Sequence, residues 1–373
     1  MGKRGNGEGS IRQRADDSWE ARVTIAGISR SFYGRTRQDA NKKLIAALRD
    51  RDRGLPIVRD ERQTLAQYLP AWLETMKPPV IEPRTWERYE QFVRVHFVPA
   101  LGKTQLAKLS AQAVQQLYTG KLAEGSAAST VRQMHVVLHE ALDMALRHGL
   151  VARNVTDHVD KPKVSRQEMR VWEPSQVRTF LEVVQGERLA ALYRLALATG
   201  LRQGELLGLC WRNVDLDDGI LQVQTNLQKI KDQGHQLRNP KTHRSRRKIR
   251  LTSSDVAALR AHRVHQLEER VALGPSWQEQ DLVFPDEAGR PLSNYRLYRQ
   301  FLSLVKRADV PLIRFHDLRH TAATLLLLQG INVKVVSEML GHSSIAITLD
   351  LYGHVLPDMQ QQAADAMERI LRG

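Results

Sequence analysis

The chain has 373 residues, 42% hydrophobic and 26% charged, which is enough apolar content for two or three globular cores. Lys and Arg number 56 against 41 Asp and Glu, a formal net charge of +15, and that balance favours a polyanionic partner, most simply nucleic acid. A membrane partner is disfavoured, because no apolar run approaches the roughly 18 residues of a spanning helix. The opening MGKRGNGEGS lacks the apolar stretch of a secretory signal, and Asn at position 6 breaks the myristoylation pattern. The single cysteine, Cys210, excludes an internal disulfide and any cysteine metal cluster; in the apolar run LLGLCW it reads as a core residue, which fits a reducing cytoplasm.

Residues 1–58 read as a small separate module. Ser10–Arg14, Trp19–Ile25 and Ser29–Tyr33 are short strand candidates; Trp19, Ala21, Val23 and Ile25 alternate with Glu20, Arg22 and Thr24. Asp16-Asp17 and Ala26-Gly27 supply turns. Gln38–Arg53 follows as a helix with Ala40, Leu44, Ala47 and Leu48 on one face. Basic residues outnumber acidic ones here. A three-stranded sheet backed by one helix would present a basic face to a DNA groove, with Arg12, Arg14, Arg22, Arg30 and Arg35 as candidate contacts.

Residues 59–153 read as all-helical. Leu65, Tyr68, Leu69 and Trp72 recur at helical spacing after Thr64, and Glu82–Val95 gives a second helix. Ser110 is an N-cap candidate for Ala111–Glu124, and Ala128–Leu146 is a long last helix ending at Gly149. Thr85, Arg88, Ser129 and Arg132 lie at helix starts, where backbone amides and the dipole favour phosphate. Residues 154–171, with the run KPKVSRQEMR, are polar, basic and interrupted by proline, hence a linker.

Residues 172–373 hold the chemistry. Trp172-Glu173-Pro174-Ser175 opens one helix, and Glu187–Ala198 is another, closed by Thr199-Gly200 and followed by Leu201-Arg202-Gln203-Gly204-Glu205. Ile220–Lys229 alternates as a strand, and PKTHRSRRKIRL reads as the returning strand, with Lys241 near its start. Arg244, Arg246 and Arg247 suit contacts to backbone phosphates. The stretch FHDLRHTAATLLLLQGINVKVVSEMLGHSSIAITLDLYGH, residues 315–354, is the densest in chemical groups. His316 and Arg319, three apart, share one helical face. The apolar run Thr321–Leu328 buries the helix that carries them, and Gly330 stops it. Val333–Leu340 is a second short helix ended by Gly341, with His342 just beyond. Each of these residues taken singly fits a core histidine or a surface arginine; their order and spacing point to a site.

The H-x-x-R of His316 and Arg319, the LGHSS of Leu340–Ser344 and Tyr352 shortly after resemble the tyrosine recombinase family, and within it phage and mobile-element integrases of the lambda-integrase type. The resemblance covers most of the chain, with its specific motifs in the last 180 or so residues. It implies a multidomain, mainly α protein with small β elements: an arm-site DNA-binding domain over 1–58, a helical core-binding (SAM-like) domain over 59–153, and a mixed α/β catalytic domain over 172–373. It also matches Arg202 to the family's first catalytic arginine, with Glu205 supporting, and Lys241 to an active-site lysine in a P-K-T context; Lys229, Lys231 and Lys248 are the rivals. Gly353 departs from the commonest pattern beside the nucleophile.

The residue types suit phosphoryl transfer through tyrosine. Two arginines, Arg202 and Arg319, can clamp the non-bridging oxygens of a phosphodiester and stay charged throughout. A tyrosine with a reference pKa of about 10 is almost wholly protonated at pH 7, so Tyr352 needs a positive pocket and a base, for which His316 is the candidate. His342 would hydrogen-bond a non-bridging oxygen or position the nucleophile, and Lys241 would protonate the leaving 5′ oxygen. The bond energy is kept in a 3′-phosphotyrosine, so neither a nucleotide cofactor nor a metal is required. The resemblance further implies core-type and arm-type attachment sites, a homotetramer on DNA, a host bending protein, an excision directionality factor and a bacterial cytoplasmic location. The amphipathic tail from Pro357 to Gly373 would pack on a neighbouring protomer or in cis. Three alternatives share part of this pattern: a resolvase or inversion enzyme of the same family, a type IB topoisomerase, and a DNA-binding protein without catalysis.

Overall fold

The protein is described by a computed structural model that covers residues 9–25, 28–52, 62–164, 169–238, 246–352 and 359–372. The chain divides into two compact units, Met1–Arg166 and Gln167–Gly373. Among the described residues no helix is long and apolar enough to cross a membrane.

The first unit opens with strands β1 (Ser10–Gln13), β2 (Trp19–Ile25) and β3 (Ile28–Gly34), antiparallel in that order, followed by α1 (Arg37–Asp52). The alternation along β2 decides which face is buried: Ala21 and Val23 pack against Ala40 and Leu44 of α1. The other face carries Arg12, Glu20, Arg22 and Tyr33, because the register sets Arg12 opposite Glu20 and Glu20 opposite Tyr33.

The helical part comprises α2 (Leu65–Thr75), α3 (Pro83–Phe92), α4 (Val98–Leu101), α5 (Ala111–Ala123) and α6 (Ala128–Arg147). The second of these runs further than its sequence suggests. A π-helical turn over Val93–Phe97 joins α3 to α4, and the Val98 N–H reaches back to the Val93 carbonyl. The wider turn accommodates Pro99, which has no N–H to give. Leu69, Trp72, Phe92, Phe97, Tyr118, Leu138 and Leu142 form the core, and the Tyr68 hydroxyl ties α2 to α6 through the Ala141 carbonyl at 2.6 Å. Ser110 caps α5 by accepting from the Ala113 N–H. The stretch expected as a linker from 154 is ordered well past its start. Val155 and Val159 join the same core, and Asn154 fixes the turn by accepting from the Thr156 N–H and donating to the His139 carbonyl.

The second unit contains α7 (Pro174–Val184), α8 (Ala190–Thr199) and α9 (Gln203–Leu207), then β4 (Val214–Asp215), β5 (Ile220–Val223), β6 (Asn226–Ile230), β7 (Gly234–Arg238) and β8 (Arg247–Arg250). The strands make two small sheets, β4-β5-β8 and β6-β7. The single strand expected over Ile220–Lys229 is therefore two. It breaks after Val223, and the Thr225 hydroxyl donates to the Gly208 carbonyl beyond the break. The remaining helices are α10 (Ser253–Leu273), α11 (Asn294–Arg307), α12 (Asp317–Leu328), α13 (Val333–Leu340), α14 (Ile345–Tyr352) and α15 (Met359–Arg372). Trp172, Phe180, Tyr193, Phe301 and Phe315 stack edge-on and tilted in one aromatic core, with Phe180 and Tyr193 at 5.6 Å and Phe301 and Phe315 at 5.5 Å. Phe315, the residue immediately before His316, is thereby anchored in this core.

One buried group in the first unit carries a cost. His135 on α6 is 2% exposed and neither ring nitrogen has a hydrogen-bond partner among the described residues. Burial, then the charge of Lys161, pushes its pKa down to about 4. The unfolded chain, with a histidine near 6.5, binds a proton over a pH range where the folded unit does not. Stability is therefore complete above about 6.5 and falls as pH drops towards 4, by an amount on the order of 3 kcal/mol. In thermal melts between pH 7 and pH 5, His135→Met should lose less Tm than the wild type; equal slopes would contradict this.

Candidate active site

Two helix C-termini organise the site. α8 ends at Gly200, whose φ of 62° is the left-handed cap that glycine adopts freely. α13 ends the same way at Gly341, with φ 68°. The last carbonyls of a helix have no partner within it and sit at the negative end of its dipole, so they attract cations. Three arginines use them. Arg247 donates from Nε to the Met339 carbonyl at 2.6 Å, Arg319 from Nη2 to the Leu340 carbonyl at 2.8 Å, and Arg202 from Nη2 to the Gly341 carbonyl at 3.2 Å. Arg319 also donates from Nη1 to the Gly200 carbonyl at 2.7 Å.

A buried carboxylate balances part of this charge. Glu205, 5% exposed, accepts from Arg202 Nη1 at 2.9 Å and from both Nη atoms of Arg247, at 3.2 and 2.9 Å. It also accepts from the Arg202 N–H, closing a capping box at the start of α9. Burial alone would raise the Glu205 pKa; the hydrogen bonds and charges of Arg247 and Arg202 outweigh it and hold the carboxylate below its ordinary range. Arg319 is 3% exposed, and burial together with the charge of Arg202 pushes its pKa down to about 9, which still leaves it cationic at pH 7.

His316 caps α12 and is exposed. The start of that helix is fixed by Arg314, which donates to both oxygens of Asp317, and by Thr321, which donates to the Asp317 carbonyl and accepts from the Trp172 N–H. His342 lies just past Gly341 and hydrogen-bonds through Nδ1 to Thr348 at 2.8 Å. Arg202, His316, Arg319, His320 and His342 line one cavity of about 290 Å³. Tyr352, the last residue of α14, is 1% exposed, and its hydroxyl lies 2.6 Å from Nδ1 of His320. Burial raises the Tyr352 pKa to about 12, with Arg319 opposing the rise. The His316 pKa is lowered by desolvation and then by Arg319, while His342 falls to about 4 through burial and then Arg319 and Arg202. His320 also falls to about 4, through burial and then His316, so all three imidazoles are neutral at pH 7.

The structure thus brings together Arg202, Glu205, His316, Arg319, His342 and Tyr352. Lys241 and Arg244 lie outside the described residues. Arg247, grouped in sequence with surface arginines for DNA phosphates, is placed otherwise: its side chain is 7% exposed and committed to Glu205 and α13, while Arg246 is exposed. In the amino-terminal sheet, Arg12 pairs with Glu20 at 2.7 Å, Arg22 donates to Ser29, and Arg14 stacks over Tyr33 at 5.1 Å. Arg30 sits opposite Val23 in the register and so belongs to the α1 side, away from the face carrying Arg12 and Arg22. Arg35 and Arg132 are exposed, the latter in the second turn of α6. His320 is the group that the motif left unmarked. Its spacing of four from His316, one helical turn, is the signal that could have found it.

Comparison with known proteins agrees with this geometry. Residues 170–359 match the model of the phage integrase family, and residues 64–122 match its N-terminal SAM-like domain. A tyrosine recombinase XerC-like protein of Caldanaerobacter subterraneus subsp. tengcongensis is 30% identical over 359 residues, covering 91% of each chain. The ICEBs1 integrase of Bacillus subtilis is 25% identical over 293 residues, covering 78% of this chain and 79% of that one. Among solved structures, the Tn1549 transposon integrase with circular intermediate DNA has a TM-score of 0.70 at 21% identity, over 83% of this chain and 99% of the other. A lambda integrase dimer on a core site has 0.57 at 18% identity, over 96% and 97%. The chain belongs to the phage integrase family. It is a site-specific tyrosine recombinase of the integrase kind, an enzyme that cleaves and rejoins DNA.

Two substitutions test the arginine cluster. Glu205→Gln removes the buried carboxylate that accepts from both Arg202 and Arg247 and should cost about 3 kcal/mol or more, because the negative charge among these guanidinium groups is lost. Denaturant unfolding reads this; a loss under 1 kcal/mol would contradict the account. Gly341→Ala places a Cβ 2.9 Å from Nη1 of the pinned Arg247, in a backbone conformation that costs a non-glycine residue about 1–2 kcal/mol. Its Tm should fall, with strand cleavage falling further than DNA binding.

Proposed function

We propose that this site cleaves one strand at a time of a DNA attachment site, with Tyr352 as the nucleophile and a 3′-phosphotyrosine as the intermediate, and that the reaction integrates and excises a mobile element such as a prophage. Arg202 and Arg319 hold the two non-bridging oxygens and stabilise the charge that builds there. Each arginine keeps N–H groups beyond those spent on carbonyls and on Glu205, since a guanidinium has five. His342, with Nδ1 taken by Thr348, offers its other nitrogen to the phosphate, and His316 flanks the same oxygens. Lys241 gives the 5′ oxygen its proton. Attack by a 5′ hydroxyl from a second duplex then releases Tyr352, so no nucleotide cofactor enters.

The observation that carries this reading is the convergence of Arg202, Arg319, His316 and His342 on one cavity beside the Tyr352 hydroxyl, reached through His320. Core-type and arm-type DNA sites, a homotetramer, a host bending protein and an excision directionality factor complete the proposal. The solved relatives include a lambda integrase tetramer bound to a Holliday junction. On α15 the apolar side chains Met367, Ile370 and Leu371 are 53, 71 and 78% exposed, which suits a tail that docks on a neighbouring protomer.

The test uses DNA flanking the gene, nicked near candidate sites so that the cleaved product escapes and the covalent complex accumulates. Wild type should give one adduct per site, with staggered cuts, and Tyr352→Phe none. Scattered adducts without sequence preference would point to a topoisomerase instead. Arg319→Lys keeps the charge and loses the planar fork. It should retain DNA affinity to within a few-fold, because many phosphate contacts share the binding, while cleavage falls by about 10²–10³-fold. Equal loss of both would remove Arg319 from the catalytic role.

A further inference from the structure

We propose that His320 is the residue that orients the nucleophile and receives its proton in the cleavage step. The inference rests on the proposed cleavage chemistry and assigns to His320 the role that the motif alone gives to His316. His320 is both a wall of the cavity and the hydrogen-bond partner of Tyr352, with Nδ1 2.6 Å from the phenolic oxygen. The pair is shut away from water: His320 is 8% exposed and Tyr352 1%. His316 instead stands edge-on to His320, ring centroids 5.2 Å apart and planes at 89°, on the exposed side. A phenol has one proton, and at pH 7 Tyr352 holds it. With a neutral imidazole opposite, the phenol O–H donates to Nδ1, and the oxygen lone pairs are left for phosphorus.

The step balances without any further reactant. A lone pair of the Tyr352 oxygen forms the bond to phosphorus as the phenolic proton passes to Nδ1 of His320. The bond from phosphorus to the 5′ oxygen breaks, and that oxygen takes its electron pair and a proton from the acid on the other side. In the second step a 5′ hydroxyl gives its proton to the conjugate base of that acid as its oxygen bonds to phosphorus, the bond from phosphorus to the Tyr352 oxygen breaks, and His320 returns its proton to the departing phenolate. The groups facing His320 explain why it can do this only with DNA in place. Burial, then His316, Arg319 and Arg314, depress its basicity, and Asp317 opposes them. His342 and Tyr352 are its other polar neighbours. A phosphate entering among Arg202, Arg319 and His342 brings negative charge that offsets the arginines and makes the imidazole a better proton acceptor.

The experiment measures the rate of covalent-complex formation on the nicked duplex mapped with the wild type. A second duplex carries sulphur in place of the bridging 5′ oxygen, a leaving group that needs no proton. His320→Ala should slow both reactions by about 10²–10⁴-fold, the range for general base catalysis, with DNA binding unchanged. His320→Asn, which keeps an acceptor near the position of Nδ1, should recover at least tenfold of the loss. Between pH 7 and 9 the His320→Ala rate should climb with hydroxide while the wild-type rate stays flat. A His320→Ala rate within threefold of wild type overturns the inference. So does a faster rate, which would make His320 a latch on the resting tyrosine, or full rescue by sulphur, which would place it on the leaving group. Absence of any wild-type adduct would overturn the cleavage reading as well.

Discussion

Three guanidinium groups share the end of one helix. Arg247, Arg319 and Arg202 take the carbonyls of Met339, Leu340 and Gly341, three consecutive residues at the C-terminus of α13. Two unit charges about 6 Å apart repel by about 3 kcal/mol at an effective dielectric of 20, so such a cluster assembles only where something answers the charge. Here the answer is a helix end, a second helix end at Gly200, and one buried carboxylate, Glu205. None of the three acceptors can move without moving a helix. The arginines are therefore held in place by the fold itself, and on the proposed reading little reorganisation is left for the transition state.

That arrangement accounts for the sequence pattern around it. Leu340 must be apolar because its side chain is fully buried while its carbonyl serves Arg319. Gly341 must be glycine because the helix stops in the left-handed conformation with Arg247 packed against its Cα. His342 follows at once, and Thr348 on α14 fixes its ring. In the T-G-x-R-x-x-E run, Gly200 caps α8 and serves Arg319, Arg202 opens α9, and Glu205 reaches back to Arg202 and across to Arg247. The spacing of a motif here is the spacing of helix ends.

Much of this was legible in the residues, for identifiable reasons. The strands of the amino-terminal sheet showed through because alternation and turn residues act locally: β2 runs over Trp19–Ile25 as its period indicated. The helices flanking His316 and His342 showed through because Gly330 and Gly341 punctuate them. What failed were features set by distant partners. The π-helical turn that carries the chain past Pro99 has no local signature. Arg247 looks like its neighbours Arg244 and Arg246 until Glu205, 42 residues earlier, is brought to it. His320 lies outside the H-x-x-R pair, and only the packing of α14 sets Tyr352 against it. The aromatic core beneath Phe315, which sets where α12 begins, draws on Trp172, Tyr193 and Phe301 from three separate segments.

The resting site is thus a preformed cationic cavity with the protonated, buried hydroxyl of Tyr352 at its edge. On the proposed reading, a neutral phenol held against His320 stays unreactive until a phosphodiester enters the cavity, which suits an enzyme that must not nick DNA at random. The most direct measurement is to digest the trapped protein–DNA complex with protease and nuclease and locate the remaining nucleotide by mass spectrometry. A 3′-phosphonucleotide on the peptide containing Tyr352 is the predicted result. A nucleotide on any other residue, or one joined through its 5′ phosphate, would contradict the account.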